Sequence, residues 1–252
     1  LAFSLHNVSI IRNKQVVLQD FNLVIKPGKL YYITGLNGSG KTSLLKVLCK
    51  MLPYSGSILF NQRELFTWPD KKFNRTVAVV HQLQTQVFSF SVKEFILMGR
   101  FDRLKFLGNY ADADYAALEK YSAKTGVLKF LNRSLGTLSG GELQRVYLAQ
   151  ALIRETPVLM LDEPSRFLDP KSRMELYHML NTLAEEGLTI LCVSHDMETL
   201  SDTKAHFIGL AQATKVWDAP LRPEDWAEFR KQVYSIDPVA NPTFLFSSEN
   251  NQ

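Results

Sequence analysis

The chain has 252 residues, enough for one large α/β domain with its own core. Its 46% hydrophobic and 21% charged residues exclude a disordered chain, and a net charge of +4 is too mild to argue for nucleic-acid binding. No stretch approaches the ~18 uninterrupted apolar residues of a membrane span. The opening Leu1-Ala2-Phe3-Ser4-Leu5-His6 lacks the layout of a signal peptide, and the two cysteines, Cys49 and Cys192, read as buried thiols. These features predict a cytosolic chain. The basic residues Lys71, Lys72, Arg75, Lys93, Arg100, Arg103 and Lys105 are scattered over several segments, as on a solvated surface.

In chain order, residues 3–11 and 21–25 read as strands, and a Pro27-Gly28 turn leads into a third at 30–33. A glycine-rich loop follows, Gly35-Leu36-Asn37-Gly38-Ser39-Gly40-Lys41-Thr42, then a helix carrying Leu44, Leu45, Val47 and Leu48. That loop fits G-x-x-x-x-G-K-[ST] in its required strand–loop–helix setting. Glycines let successive backbone N–H groups turn inward towards phosphate oxygens, and the helix N-terminus adds its positive end. Lys41 supplies a charge for the β- and γ-phosphates, and the Thr42 hydroxyl can hold Mg²⁺. Gly35, Asn37, Gly38, Ser39, Gly40, Lys41, Thr42 and Ser43 are therefore the candidate nucleotide-binding residues.

Residues 57–60 and 76–80 look like further strands, and 91–126 turns helical. Leu138-Ser139-Gly140-Gly141-Glu142 opens another helix; hydroxyl, exposed N–H groups and dipole make either a second anion site or a simple N-cap. The wholly apolar run 158–161 predicts a parallel strand buried on both faces, ending at Asp162-Glu163. Ligands of open parallel sheets sit at such strand ends. Asp162 suits the Mg²⁺ shell and Glu163 the polarisation of water for attack on a γ-phosphate. A helix at 171–185, a strand at 189–193 and a helix near 224–233 follow, giving an α/β core with a helical insertion.

Leu138-Ser139-Gly140-Gly141-Glu142, followed by Gln144-Arg145, resembles the LSGGQ signature of ABC ATPases, and the other segments fall in that family's order. The resemblance implies a mixed sheet with an antiparallel β subdomain, spread over 1–85 and 155–220, a helical subdomain at 86–154, and a C-terminal helix and tail at 221–252. It implies that Gln82 is the Q-loop glutamine touching Mg²⁺, that Asp169 closes the D-loop, and that His195 is the switch histidine meeting the γ-phosphate. Ser139, Gly140, Gly141 and Glu142 would contact ATP held by a second copy, in a head-to-tail dimer with two shared sites.

The sequence departs from the family pattern at four places. Arg12 stands where an aromatic residue commonly stacks on adenine, and its guanidinium is either a stacking surface or a solvated edge. Leu36 and His81 replace common prolines, Leu36 at a position not expected to touch phosphate. Arg166 takes a D-loop position that is usually small or polar. The segment 88–100 resembles importers of iron–siderophore, haem and cobalamin, with zinc and manganese importers similar. The implied partners are polytopic permease subunits and an extracytoplasmic solute-binding protein, with this chain peripheral on the cytoplasmic face of the membrane. A soluble ABC scaffold of cofactor assembly is the alternative of another class.

Overall fold

The computed structural model describes residues 3–81, 90–103, 109–196 and 205–235. Strand β1 (Phe3–Arg12) turns Phe3, Leu5, Val8 and Ile10 inward and pairs antiparallel with β2 (Gln15–Ile25). Asn13 and Lys14 join them, with φ of 48° and 65°. Positive φ at both central residues matches the turn's twist to that of the strands. Next come β3 (Leu30–Gly35), β4 (Ser55–Phe60) and β5 (Arg63–Glu64), then β6 (Val77–Val80), β7 (Val158–Asp162) and β8 (Thr189–Val193), and finally β9 (His206–Ala211) and β10 (Thr214–Pro220). A four-stranded antiparallel sheet has the order β2-β1-β4-β5. A six-stranded sheet has the order β10-β9-β3-β8-β7-β6, parallel except for the β9–β10 hairpin.

The helices are α1 (Lys41–Leu48), α2 (Asp70–Asn74), α3 (Val92–Leu97), α4 (Asp112–Lys124), α5 (Gly140–Leu152), α6 (Pro170–Glu185) and α7 (Trp226–Tyr234). Because side chains alternate across a strand, each central strand serves two cores. Met160, Leu191 and Val193 pack with α1 and the antiparallel sheet, while Leu159, Leu161, Ile190 and Cys192 face α5, α6 and α7. Gly209 on β9 admits α7: a Cβ there would lie 2.4 Å from Val233. A third core joins Val92, Phe95 and Ile96 of α3 to Leu118 of α4 and to Val146, Ala149 and Ile153 at α5. The other face of α5, through Leu148, Ala151 and Leu152, belongs to the sheet's core. One helix thus ties the helical region to the sheet.

The helical stretch itself is α3 and α4, with a 3₁₀ turn, Met98–Arg103, following α3. Gly99 lies there so close to α5 that a Cβ would sit 2.5 Å from the Gln150 carbonyl. Two expectations need correction. Arg100 is not solvated; it is 4% exposed, with its guanidinium 2.9 Å from Glu155 and 3.7 Å from Asp114. A buried guanidinium requires such paired carboxylates. Cys49 is only partly buried, whereas Cys192 is fully buried. Desolvation raises both thiols, Cys49 to about 12, so both stay protonated at neutral pH. Lys105 lies outside the described residues.

Candidate active site

β3 ends at Gly35 and α1 begins at Lys41, so the glycine loop caps the C-terminal end of a central strand. Only glycine fits the first position: φ is 151°, and a Cβ would lie 2.3 Å from the Leu210 carbonyl and 2.5 Å from Ser39 Oγ. Gly40 enters α1 with φ 98°. Ser39 Oγ is buried and finds no hydrogen-bond partner among the described residues, which leaves its proton free for a ligand. Lys41 is 5% exposed, and its Nζ donates to the Gly35 and Leu36 carbonyls at 2.8 and 2.9 Å. Burial lowers its pKa, and the carboxylates of Glu163 and Asp162 oppose that shift. The loop therefore holds a poised ammonium across its mouth.

At the end of β7, Asp162 is buried, and its Oδ1 accepts from Thr42 Oγ1 at 3.1 Å. Burial raises its pKa, while the Thr42 hydrogen bond lowers it. A hydroxyl and a carboxylate side by side beneath a phosphate cradle fit Mg²⁺, an oxygen-seeking ion that keeps water and phosphate in its shell. Among the described residues no three His, Cys, Asp or Glu side chains converge on a metal site, which a two-ligand Mg²⁺ site does not need. The third expected ligand, Gln82, lies outside the described residues.

Glu163 turns out of the strand with φ 50° while its N–H donates to Val193 at 3.0 Å. Such a left-handed conformation costs a non-glycine residue about 1–3 kcal/mol and recurs where a side chain must be aimed. Its Oε1 lies 3.7 Å from Nδ1 of His195, which follows β8 and is half exposed. Gly35, Leu36, Asn37, Glu163, Arg166, His195 and Tyr234 line one open cleft of about 560 Å³. Leu36 and Arg166, two of the departures from the family pattern, thus face the same space as Glu163. Arg166 lies over the Phe167 ring, 5.6 Å from its centroid. A second concavity, of about 330 Å³ near the N-terminal end of β7, carries no such constellation; there Lys124 is paired with Glu186.

Other expected site residues stand apart from this cleft. Ser43 is buried in α1. Ser139 caps α5 in a reciprocal pair: its Oγ accepts from the Glu142 N–H at 3.3 Å, and Glu142 Oε2 accepts from the Ser139 N–H at 2.8 Å. The N-cap reading is thus realised in the single chain. Gly140 and Gly141 pack on the D-loop, where added Cβ atoms would lie 3.2 Å from Phe167 and from Leu168. Asp169 caps α6, accepting from Ser172 at 3.0 Å, a bond that lowers its pKa. Arg12 is exposed at the β1–β2 turn, opposite Gln15. Neither Arg12 nor Ser139–Glu142 lines the cleft.

Residues 18–166 match the family model described as ABC transporter, more than half of the chain. The chain belongs to this ABC transporter family. It is an ATP-binding, ATP-hydrolysing subunit. It is 32% identical to the hemin import ATP-binding protein of Pseudomonas entomophila, over 92% of this chain and 91% of that protein. It is 29% identical to the iron(3+)-hydroxamate import ATP-binding protein of Bacillus subtilis, over 94% of this chain and 88% of that protein. The manganese transport system ATP-binding protein of Bacillus subtilis is 34% identical, over 79% of this chain and 78% of that protein. The fold is that of a nucleotide-free ATP-binding cassette from an ABC transporter, at TM-score 0.79 and 18% identity, covering 95% of this chain and 97% of that one. No helix among the described residues is long and apolar enough to cross a membrane.

Sequence reasoning on this ABC subunit missed Tyr234. It ends α7, beyond the region where the family resemblance is strong, and reaches the cleft from the C-terminal segment. Burial raises its phenol to about 12, so the buried hydroxyl stays neutral. The available signal was a tyrosine closing an apolar helix stripe with Phe229 and Val233.

Proposed function

We propose that the chain energises an importer of iron–siderophore or haem complexes by hydrolysing ATP at the Gly35–Ser43, Asp162, Glu163 and His195 site. The observation that carries the catalytic assignment is the cleft in which the phosphate loop, a strained Glu163 and His195 converge. Lys41 binds the β- and γ-phosphates, and the loop N–H groups orient them. Glu163 accepts a proton from the attacking water at Oε1, and His195, beside it, steadies the γ-phosphate. Thr42, Asp162 and Gln82 would hold Mg²⁺, which neutralises phosphate charge when bound.

In this reading the catalytic unit is a head-to-tail dimer, in which Ser139–Glu142 of one copy completes the phosphate site of the other, with Asp169 at the seam and Arg12 beside the base. The segment 86–154 acts as a helical subdomain that turns against the core spanning 1–85 and 155–220, and 221–252 packs as helix and tail. Polytopic permease subunits and a solute-binding protein complete the transporter, with the chain peripheral on the cytoplasmic face. The hemin and hydroxamate relatives favour an iron complex as cargo. The manganese relative supports metal-ion import as a second reading.

The test is to purify the chain with its permease and solute-binding protein in lipid and measure which solute accelerates hydrolysis. Ferric hydroxamate or haem is expected to stimulate. Stimulation by Mn²⁺ or Zn²⁺ alone would replace this reading with the second.

A further inference from the structure

Helix α6 carries an apolar stripe of Leu176, Leu180, Leu183 and Ala184 into the core, and Tyr177 lies within it at 2% exposure. A buried phenol must find polar partners, and this one meets three. Its oxygen lies 2.9 Å from Ser165 Oγ, 2.7 Å from Ser194 Oγ and 2.8 Å from Asp196 Oδ2. Ser165 Oγ also donates to Asp196 Oδ2, and the Asp196 N–H donates to Ser194 Oγ at 3.1 Å. Arg173, one turn earlier, donates to Asp196 Oδ1 at 3.0 Å and to the Leu168 carbonyl at 3.3 Å. The protons close when Ser194 donates to the phenol oxygen, the phenol proton is shared between Ser165 Oγ and Asp196 Oδ2, and Ser165 donates to Asp196. Burial raises the phenol pKa, so Tyr177 keeps its proton.

The placement of these partners is informative. Ser194 and Asp196 are the residues on either side of His195, and Ser165 is two residues beyond Glu163. One hydroxyl therefore joins the turn that carries Glu163 to the strand end that carries His195. The two side chains that meet in the cleft lie 3.7 Å apart; their backbones are tied by the Glu163 N–H bond to Val193, and the Tyr177 hydroxyl adds a side-chain link beyond it. The His195 side chain is half exposed, so its neighbours' backbone helps to set its position. The three hydroxyls and the Asp196 carboxylate of this buried network are all hydrogen-bonded, so losing the central hydroxyl loosens both loops at once.

We infer that Tyr177 is a positioning residue for hydrolysis, its hydroxyl fixing His195 against Glu163 through Ser194, Asp196 and Ser165. This rests on the assignment of Glu163 and His195 to the reaction. The experiment is Tyr177→Phe in the full chain, alone and combined with His195→Ala, with Glu163→Gln in parallel. ATP turnover, affinity for a fluorescent ATP analogue and thermal unfolding are measured for each.

Tyr177→Phe is expected to lower kcat about tenfold or more while KM and nucleotide affinity stay within about twofold. In the His195→Ala background it should cost almost nothing further, because its effect runs through that histidine. An equal loss in both backgrounds, or an unchanged kcat, overturns the inference. If Tyr177→Phe does not fold, Ser165→Ala, which removes one arm of the network, decides on the same criteria. Wild-type turnover in Glu163→Gln would instead sink the site assignment itself, a result separate from failure of Tyr177 alone.

Discussion

Aspartate and glutamate stand next to each other at the end of β7, yet the fold gives them opposite environments. Asp162 is buried beneath Thr42, whereas Glu163 is turned out towards His195. A carboxylate whose folded pKa is raised destabilises the fold above that pKa, and the penalty fades as pH falls through it. Asp162→Asn is therefore expected to raise the melting temperature of the nucleotide-free chain by about 2–4 °C at neutral pH, and to abolish Mg²⁺-dependent hydrolysis. A calorimetric scan and a turnover assay read the two effects, and a lower melting temperature would refute the burial argument. Glu163→Gln is expected to keep ATP binding and lose at least a hundredfold in kcat, as removal of a general base does. The phosphate loop was legible because its chemistry is local and its glycines are demanded by backbone geometry. The Tyr177 hub was not, because its partners come from two segments distant from it in the chain and the residue sits in an ordinary apolar stripe.

Among secondary-structure elements, the strands of the parallel sheet were the most readable. Residues 189–193 and the apolar run before Asp162 form β8 and β7 as expected, since burial on both faces leaves an unmistakable run. The hairpins were hard to see. Asn13-Lys14, Asn61-Gln62 and Gln212-Ala213 each connect paired strands with φ between 47° and 65° at both positions, yet none contains the glycine that usually announces such a turn. Lys14→Gly should relieve this strain and stabilise the chain by about 0.5–1 kcal/mol, read as a higher urea midpoint with unchanged slope. Arg12, beside the same turn, is exposed, so its role is tested by nucleotide affinity. If it stacks on adenine, Arg12→Ala weakens binding severalfold; if it is a solvated edge, affinity is unchanged.

In the molecule as a whole, α5 is the pivot. Its N-terminus presents Ser139 and the signature glycines, one of its faces belongs to the helical core and the other to the sheet. Ser139 caps its own helix and does not line the cleft of its own chain. Within a single copy the signature thus lies apart from the cleft, and the function proposed above uses two copies. This proposal rests on the family resemblance, because an interface between copies leaves no periodicity in the composition and spacing of one chain.

The sharing of sites between copies is the claim on which the account depends, and complementation measures it. Lys41→Ala disables the phosphate loop and Ser139→Arg the signature, so either chain alone should be inactive. In a mixture, half of the dimers pair the two variants, and each such dimer holds one intact site. Turnover should return to about a quarter of the wild-type value. A mixture no more active than its components, or full turnover by the Ser139→Arg chain as a monomer, would contradict the account.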